Sequence, residues 1–432
     1  MALAAPLLLA AAPAHAALSP QERTIGRSVD AGVDGAIALL EKMVNQNSGS
    51  LNIEGVTKVA EMVRPHFEAL GFAVTWKPMT HTKRAGHLIA THRGRADTTK
   101  MLLIGHLDTV FEPDSPFQTF QRQGDKAAGP GVGDDKGGVA VMLLALQAMK
   151  AAGTLKDANI EIVLTGDEED VGEPREEARA DLIAAGKRAD VALDFEGLAR
   201  EDGKDMGSIA RRSSNSWTIM ATGKSGHSSR IFSDAAGDGA VYELARIITA
   251  FRKELPEPDL TFNVGLIGGG QSADVDKDGV RIAVTGKTNI IAPVAVAKGD
   301  FRTLSQEQTD RVIAKMKAIV ENGHLNGTSA TIAIEQGYPA MAPTEGNRAL
   351  LTRLNGVNAD LGLPAMPELD PLKRGAGDIA FVAADTDGLV GLGPASSGDH
   401  SPAEVVDLAS IPVQAKRAAI LMSRLARDKG RK

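Results

Sequence analysis

Short apolar runs at 101–104, 160–164, 191–193 and 389–392 carry almost no polar interruption, the pattern of strands buried on both faces. Between the first two, 137–152 is apolar on nearly every side and closes on Gly153, which suits a helix buried against a sheet. Ahead of them, amphipathic periodicity from residue 20 and again over 56–70 predicts two helices, and alternation over 72–77 predicts a strand. Strand and helix alternate. The expected fold is therefore α/β, a mostly parallel sheet flanked by helices.

From about 213 to 330 the pattern changes to strands at 217–222, 260–267, 280–284 and 294–301 with helices at 239–251 and 305–321. Asp278-Gly279 supplies a hairpin turn. This reads as an α+β sandwich of its own, inserted into the larger domain because an apolar strand run resumes after it. The expected boundaries are 17–210 and 329–432 for the two parts of the main domain and 211–328 for the insert. Residues 1–16 form an apolar stretch ending in Ala14-His15-Ala16, the small-x-small pattern read by a signal peptidase, so a secreted or periplasmic protein is expected. No other stretch is long and apolar enough to span a bilayer, and no membrane association is expected once the signal is removed.

With 432 residues, 43% of them hydrophobic, the chain can bury more than one core. A formal charge of −7 gives no electrostatic footprint for nucleic acid. The absence of cysteine excludes thiolate ligands, a cysteine nucleophile and disulfides. Any metal must be held by nitrogen and oxygen donors, a set compatible with zinc, cobalt or manganese.

The chemistry concentrates just past the apolar runs. His106 follows the first, Glu168-Glu169 the second and Glu196 the third, while His400 lies in a loop beyond the fourth. In open α/β sheets the ligand crevice lies at the carboxyl ends of the strands, so these positions converge on one edge by topology. Asp134 precedes the buried helix, where Gly129, Gly131 and Gly133 allow tight turns. Singly, His106 reads as a core histidine, Asp134 as a helix cap, Glu168-Glu169 as a solvated acidic turn and His400 as a loop histidine. Jointly they read as a cradle of two histidines and three carboxylates for two metals. Asp108, two residues after His106, is placed to hold the second imidazole nitrogen, and Glu168 is a spare acid suited to act as general base. Asp274-Val-Asp276-Lys-Asp278-Gly279 imitates a calcium loop but has Thr285 at its twelfth position, and a hairpin is expected instead. No dinucleotide fingerprint, phosphate-binding lysine loop or nucleophile elbow occurs.

Six segments carry a family resemblance: Gly105-His106-Leu-Asp108-Thr-Val, Gly129-Pro-Gly-Val-Gly-Asp134-Asp135-Lys136-Gly-Gly, Thr165-Gly-Asp-Glu168-Glu169, Asp194-Phe-Glu196, Gly223-Lys-Ser-Gly-His227 and His400-Ser-Pro-Ala-Glu404. In this order they are similar to the M20 family of metallopeptidases, and within it to the carboxypeptidase G2 (glutamate carboxypeptidase) branch. The resemblance implies a zinc-peptidase-like catalytic domain with an inserted lid and dimerisation domain, two zinc ions per subunit, and a homodimer. It implies that Asp134 bridges both ions, that His106 and Glu196 serve one and Glu169 and His400 the other, and that Asp134-Asp135 is joined by a cis peptide. It gives Glu168 the role of base, Asp108 that of orienting His106, and His227 that of steadying the oxyanion in a partner subunit. Asn289 and Arg302 resemble substrate contacts, with the guanidinium suited to a substrate carboxylate. Arg374-Gly-Ala-Gly-Asp378 departs from the family's glycine-rich loop.

The expected function is release of a C-terminal amino acid, with glutamate the first candidate, from a peptide or N-acyl conjugate. The alternatives are an N-acyl-amino-acid deacylase using the same site and, in a different class, a non-catalytic metal-dependent binding protein.

Overall fold

The apolar runs fall on the four parallel strands of a six-stranded sheet. In the computed structural model, which describes residues 18–431, its order is Ala73–Pro78, Gly86–His92, Asn159–Thr165, Lys100–His106, Val191–Asp194 and Asp387–Leu389. The expected signal segment 1–16 lies outside the described residues. The last four strands run parallel to one another, as the uninterrupted apolar runs required. Gly86–His92, which the apolar runs did not reveal, joins antiparallel to Asn159–Thr165, and Ala73–Pro78 pairs antiparallel with it in turn.

Helix Lys136–Ala151 is buried at nearly every position and packs against helices Pro20–Val44 and Ser410–Leu425. The first of these begins with a capping box, in which the Ser19 side chain accepts from the Glu22 N–H and Glu22 accepts from the Ser19 N–H. Helix Ile53–Leu70 ends at Gly71, whose φ of 99° a side chain would resist. The run at 389–392 is strand only to Leu389: Gly391, at φ 89°, turns the chain, and the Leu392 N–H finds the Asp194 carbonyl at 3.1 Å. A smaller sheet of Ser396–Ser397, Val405–Asp407, Lys126–Ala128 and Gln121–Gln123 then joins the chain before residue 129 to the chain around residue 400. Among the described residues no helix is long and apolar enough to cross a membrane.

These elements belong to one compact unit, comprising the described residues to Gly207 with Glu345–Glu368 and the segment from Asp387. A second unit contains Ser208–Thr344 and Leu369–Thr386. Its antiparallel sheet runs Thr261–Gly270, Val294–Arg302, Ser214–Gly223, Thr328–Tyr338. Trp217, Ile219 and Phe301 on the sheet meet Leu244, Ile247 and Phe251 of helix Ala240–Glu254 and Val312, Met316 and Val320 of helix Gln306–Glu321. The expected boundary at 328 is thus corrected. Thr328–Tyr338 alternates strictly, and its Ala330, Ile332 and Ile334 pack on that core. Residues 276–281 close a hairpin between Ser272–Val275 and Ile282–Thr285, with the Asp276 carboxylate accepting from the N–H of Val280 and Arg281.

Candidate active site

Three neighbouring parallel strands end on one edge of the main sheet. His106 is the last residue of its strand, Glu168 and Glu169 follow Thr165, and Glu196 follows Asp194 by two residues. The edge is fixed by the strand order and needs no side-chain attraction. Asp134 arrives on the glycine loop ahead of helix Lys136–Ala151, and His400 on the turn between Ser396–Ser397 and Val405–Asp407.

His106 Nε2 lies 2.8 Å from Asp134 Oδ1, His400 Nε2 lies 3.2 Å from Asp134 Oδ2, and the same nitrogen lies 3.0 Å from Glu169 Oε2. His106, Asp134 and Glu169 each offer a ligand atom, all within 4.8 Å of one another. Glu196 stands outside that group of three; it is buried near the site, and its charge helps to raise Asp135. The peptide between Asp134 and Asp135 is cis.

Asp108 holds the other side of His106. Its Oδ1 lies 3.3 Å from His106 Nδ1, its two oxygens accept the N–H of Glu168 and of Glu169 at 3.0 Å each, and Oδ2 also accepts the Ser50 hydroxyl at 2.6 Å. One buried carboxylate thereby fixes both the imidazole and the backbone that carries the two glutamates. Burial pushes Asp108 up, but His106, Ser50 and the Glu169 N–H outweigh it and hold the carboxyl below the usual range.

The cluster is short of positive charge. Burial and the neighbouring Asp134 push Glu169 up to about 7, against His400. Asp134 and Glu169 together raise His400 to about 11 against partial burial. Burial opposes protonation of His106, yet Asp108 and Asp134 raise it well above the ordinary histidine value. Packed carboxylates that recruit protons onto two imidazoles would gain equally from a cation. The donors are imidazole nitrogen and carboxylate oxygen only, so the set fits a borderline divalent metal.

Three further residues, quoted above only as parts of motifs, shape the site. Glu404, read only as the end of a motif, accepts the N–H of Gly131 at 3.0 Å, of Gly133 at 2.9 Å and of Asp134 at 3.2 Å. Its signal was an acid four residues after a ligand candidate in a stretch with no helical pattern. Burial pushes it up to about 7 in spite of those three donors. Asp135 Oδ2 accepts the His106 N–H at 3.2 Å, while its Oδ1 has no hydrogen-bond partner among the described residues. A Cβ on Gly138 would meet that Oδ1 and the Phe195 carbonyl at 2.1 Å each, so only glycine fits there. Lys136 is buried, donates to the Gln46 carbonyl at 3.0 Å, and is lowered to about 7 by burial against Glu404 and Asp108.

His227, Asn289 and Arg302 belong to the second unit. His227 is exposed on the short strand Gly226–His227, paired with Ile290–Ile291, and its Nδ1 lies 2.8 Å from the Ser229 hydroxyl. Asn289 adjoins it, since its carbonyl accepts the Ser228 N–H at 2.9 Å. Arg302 ends strand Val294–Arg302, with its Nε 3.6 Å from Asp300 Oδ2.

A mostly parallel α/β sheet whose carboxyl edge gathers two histidines around paired carboxylates defines a metallohydrolase type of site. Residues 102–424 match the sequence model of Peptidase family M20/M25/M40, and the chain belongs to that family of hydrolases. Carboxypeptidase G2 of Pseudomonas sp. (strain RS-16) is 26% identical over 398 residues, covering 91% of this chain and 90% of that protein. Succinyl-diaminopimelate desuccinylase of Methylibium petroleiphilum is 26% identical over 397 residues, covering 87% and 94%. The crystal structure of a dinuclear metal-binding peptidase of family M20 from Bacillus subtilis aligns with a TM-score of 0.63 at 14% identity over 91% of this chain and 98% of that one, and so shares the fold.

Proposed function

We propose that this chain is a di-zinc exopeptidase or amidohydrolase that releases a C-terminal amino acid, glutamate being the first candidate, from a peptide or N-acyl conjugate. The observation that carries the reading is the cluster of His106, Asp134, Glu169 and His400 with Glu168 beside it on a backbone pinned by Asp108. Two zinc ions, held through Asp134 with His106 and Glu196 on one side and Glu169 and His400 on the other, would polarise the scissile carbonyl and acidify a water.

The chain's own groups do the rest. Glu168 takes the proton of the attacking water and returns it to the amine nitrogen as the carbon–nitrogen bond breaks. Asp108 keeps the His106 Nδ1 side occupied, so Nε2 faces Asp134. His227, Asn289 and Arg302 are assigned to the oxyanion and the substrate carboxylate on the strength of the family resemblance, and with them a homodimer. The exposed Phe232, Val241 and Tyr242 of the second unit support an association surface. Export through residues 1–16 completes the reading, and a mature N-terminus near Ala17 would test it.

The relationship to carboxypeptidase G2 favours the exopeptidase reading, and the relationship to a desuccinylase favours deacylation of N-acyl amino acids by the same site. Zinc-loaded protein should hydrolyse members of a panel of N-acyl-glutamates, folate-type conjugates and dipeptides, with products identified by mass. Two bound metals without turnover on any of them would instead favour a metal-dependent binding protein.

A further inference from the structure

Glu168 and Glu169 stand inside a run of four acids, Asp167-Glu168-Glu169-Asp170, and two arginines of the same unit grip the outer pair. Arg179, at the start of helix Ala180–Arg188, donates Nη1 to Asp167 Oδ1 at 2.6 Å and Nη2 to the Asp167 carbonyl at 3.0 Å, and both side chains are fully buried. Arg84, two residues past the turn Thr80–Thr82, donates Nε to the Asp170 carbonyl at 2.6 Å and holds the Asp170 carboxylate with Nη2 at 2.8 Å. Each guanidinium takes a carboxylate and a carbonyl of one residue, a two-pronged grip that the point charge of a lysine does not reproduce.

The two grips complete a frame around the inner pair. The peptide that joins Asp167 to Glu168 has its carbonyl on Arg179 and its N–H on Asp108, so it is held from both sides. Beyond it, the Glu169 N–H sits on the other oxygen of Asp108 and the Asp170 carbonyl on Arg84. His87 closes the near end: the Gly166 N–H donates to its Nδ1 at 3.3 Å, which leaves the ring proton on Nε2 for the Ala178 carbonyl at 2.8 Å. Asp167 Oδ2 accepts the Gly172 N–H at 3.0 Å and folds the loop back on itself. Charge agrees with geometry. The arginines neutralise the outer acids, whose repulsion would otherwise spread the run, and the inner acids stay available for chemistry.

We infer that Arg84 and Arg179 are positioning residues, which hold Glu168 for proton transfer and Glu169 for metal by clamping the backbone on either side of them. The inference rests on the proposed zinc-dependent amide hydrolysis. Its Glu168 half is read from turnover and its Glu169 half from zinc binding. A base works only in the transition state, so a displaced Glu168 shows in kcat and leaves KM in place.

Arg84→Ala is the direct test, because the Asp170 side chain is exposed and its carboxylate returns to water. Arg179→Ala would strand the buried Asp167, so the second variant is Arg179→Met/Asp167→Asn, which removes both buried charges together. At saturating zinc, on the conjugate of the panel that wild type hydrolyses fastest, each should lower kcat by roughly 10- to 100-fold with KM within about two-fold of wild type. Zinc affinity in a chelator-buffered titration should fall by about 10-fold. Arg84→Lys keeps the charge without the fork and should recover kcat only in part. A lowered melting temperature in both variants, with kcat, KM and zinc affinity all at wild-type values, would make the arginines mere braces of the fold and overturn the inference. If zinc-loaded wild type hydrolyses no member of the panel, the proposed function falls; weakened zinc binding in the two variants then still supports the hold on Glu169, and unchanged zinc binding overturns the clamps as well.

Discussion

The Glu404 carboxylate accepts the backbone N–H of Asp134 at 3.2 Å although the two residues are 270 positions apart. His400, on the same turn as Glu404, lies 3.2 Å from the Asp134 side chain. One buried acid therefore sets the spacing between two candidate ligands from opposite ends of the chain. Glu404→Ala leaves the N–H groups of Gly131, Gly133 and Asp134 without their acceptor. Stability should drop by about 3 kcal/mol, and zinc affinity by roughly 10–100-fold, read by urea unfolding and a chelator-buffered zinc titration. Unchanged zinc binding would show that Glu404 does not position the site.

Glu168 should be dispensable for metal and essential for turnover. Glu168→Gln is expected to lower kcat by roughly 100- to 10,000-fold while zinc content, measured by atomic absorption, stays at the wild-type value. Full activity in that variant would remove the glutamate from the role of base.

Asp108→Asn keeps the shape but loses the charge that faces His106 at 3.3 Å and that receives two backbone N–H groups and the Ser50 hydroxyl. Metal affinity and kcat/KM should each fall by about 10–100-fold. Ser50→Ala, which removes only one of these hydrogen bonds, should give a smaller loss of the same kind.

Removing the metal should be reversible. Chelation is expected to abolish amide hydrolysis and to lower the melting temperature, because a cation bound to the native state alone stabilises it by mass action. Adding back zinc, cobalt or manganese one at a time, and measuring both quantities, identifies which ions the site accepts.

Acid should weaken the second unit through Glu243. Burial pushes this carboxyl up, but Arg246, the Leu325 N–H and His324 outweigh burial and hold it at about 2, below its ordinary 4.5. A depressed carboxyl stabilises the fold fully above its unfolded value, and that contribution is lost as pH falls through the folded one. The stability gap between wild type and Glu243→Gln should be constant above about pH 5 and shrink between about 4.5 and 2, as followed by denaturant midpoints. A gap that does not change with pH would assign Glu243 a packing role alone.

The sequence by itself determined the edge of the sheet at which the chemistry lies. Uninterrupted apolar runs demand strands buried on both faces, and topology puts the residues just past them on one side, so His106, Glu168, Glu169 and Glu196 were legible in the chain alone. The full extent of the second unit was less legible, because Thr328–Tyr338 announces itself only by alternation and is claimed for that unit by the helices it packs on. Tertiary structure alone decided which atoms of Asp134 His400 and Glu404 meet. Neither carries a local pattern that names a partner, and both meet Asp134 only because the small sheet built from Lys126–Ala128 and Val405–Asp407 brings the two ends of the chain together. Local periodicity encodes which face of an element is buried. It does not encode which distant loop fills the space above it, and that choice is made by hydrogen bonds that exist only once the chain has closed on itself.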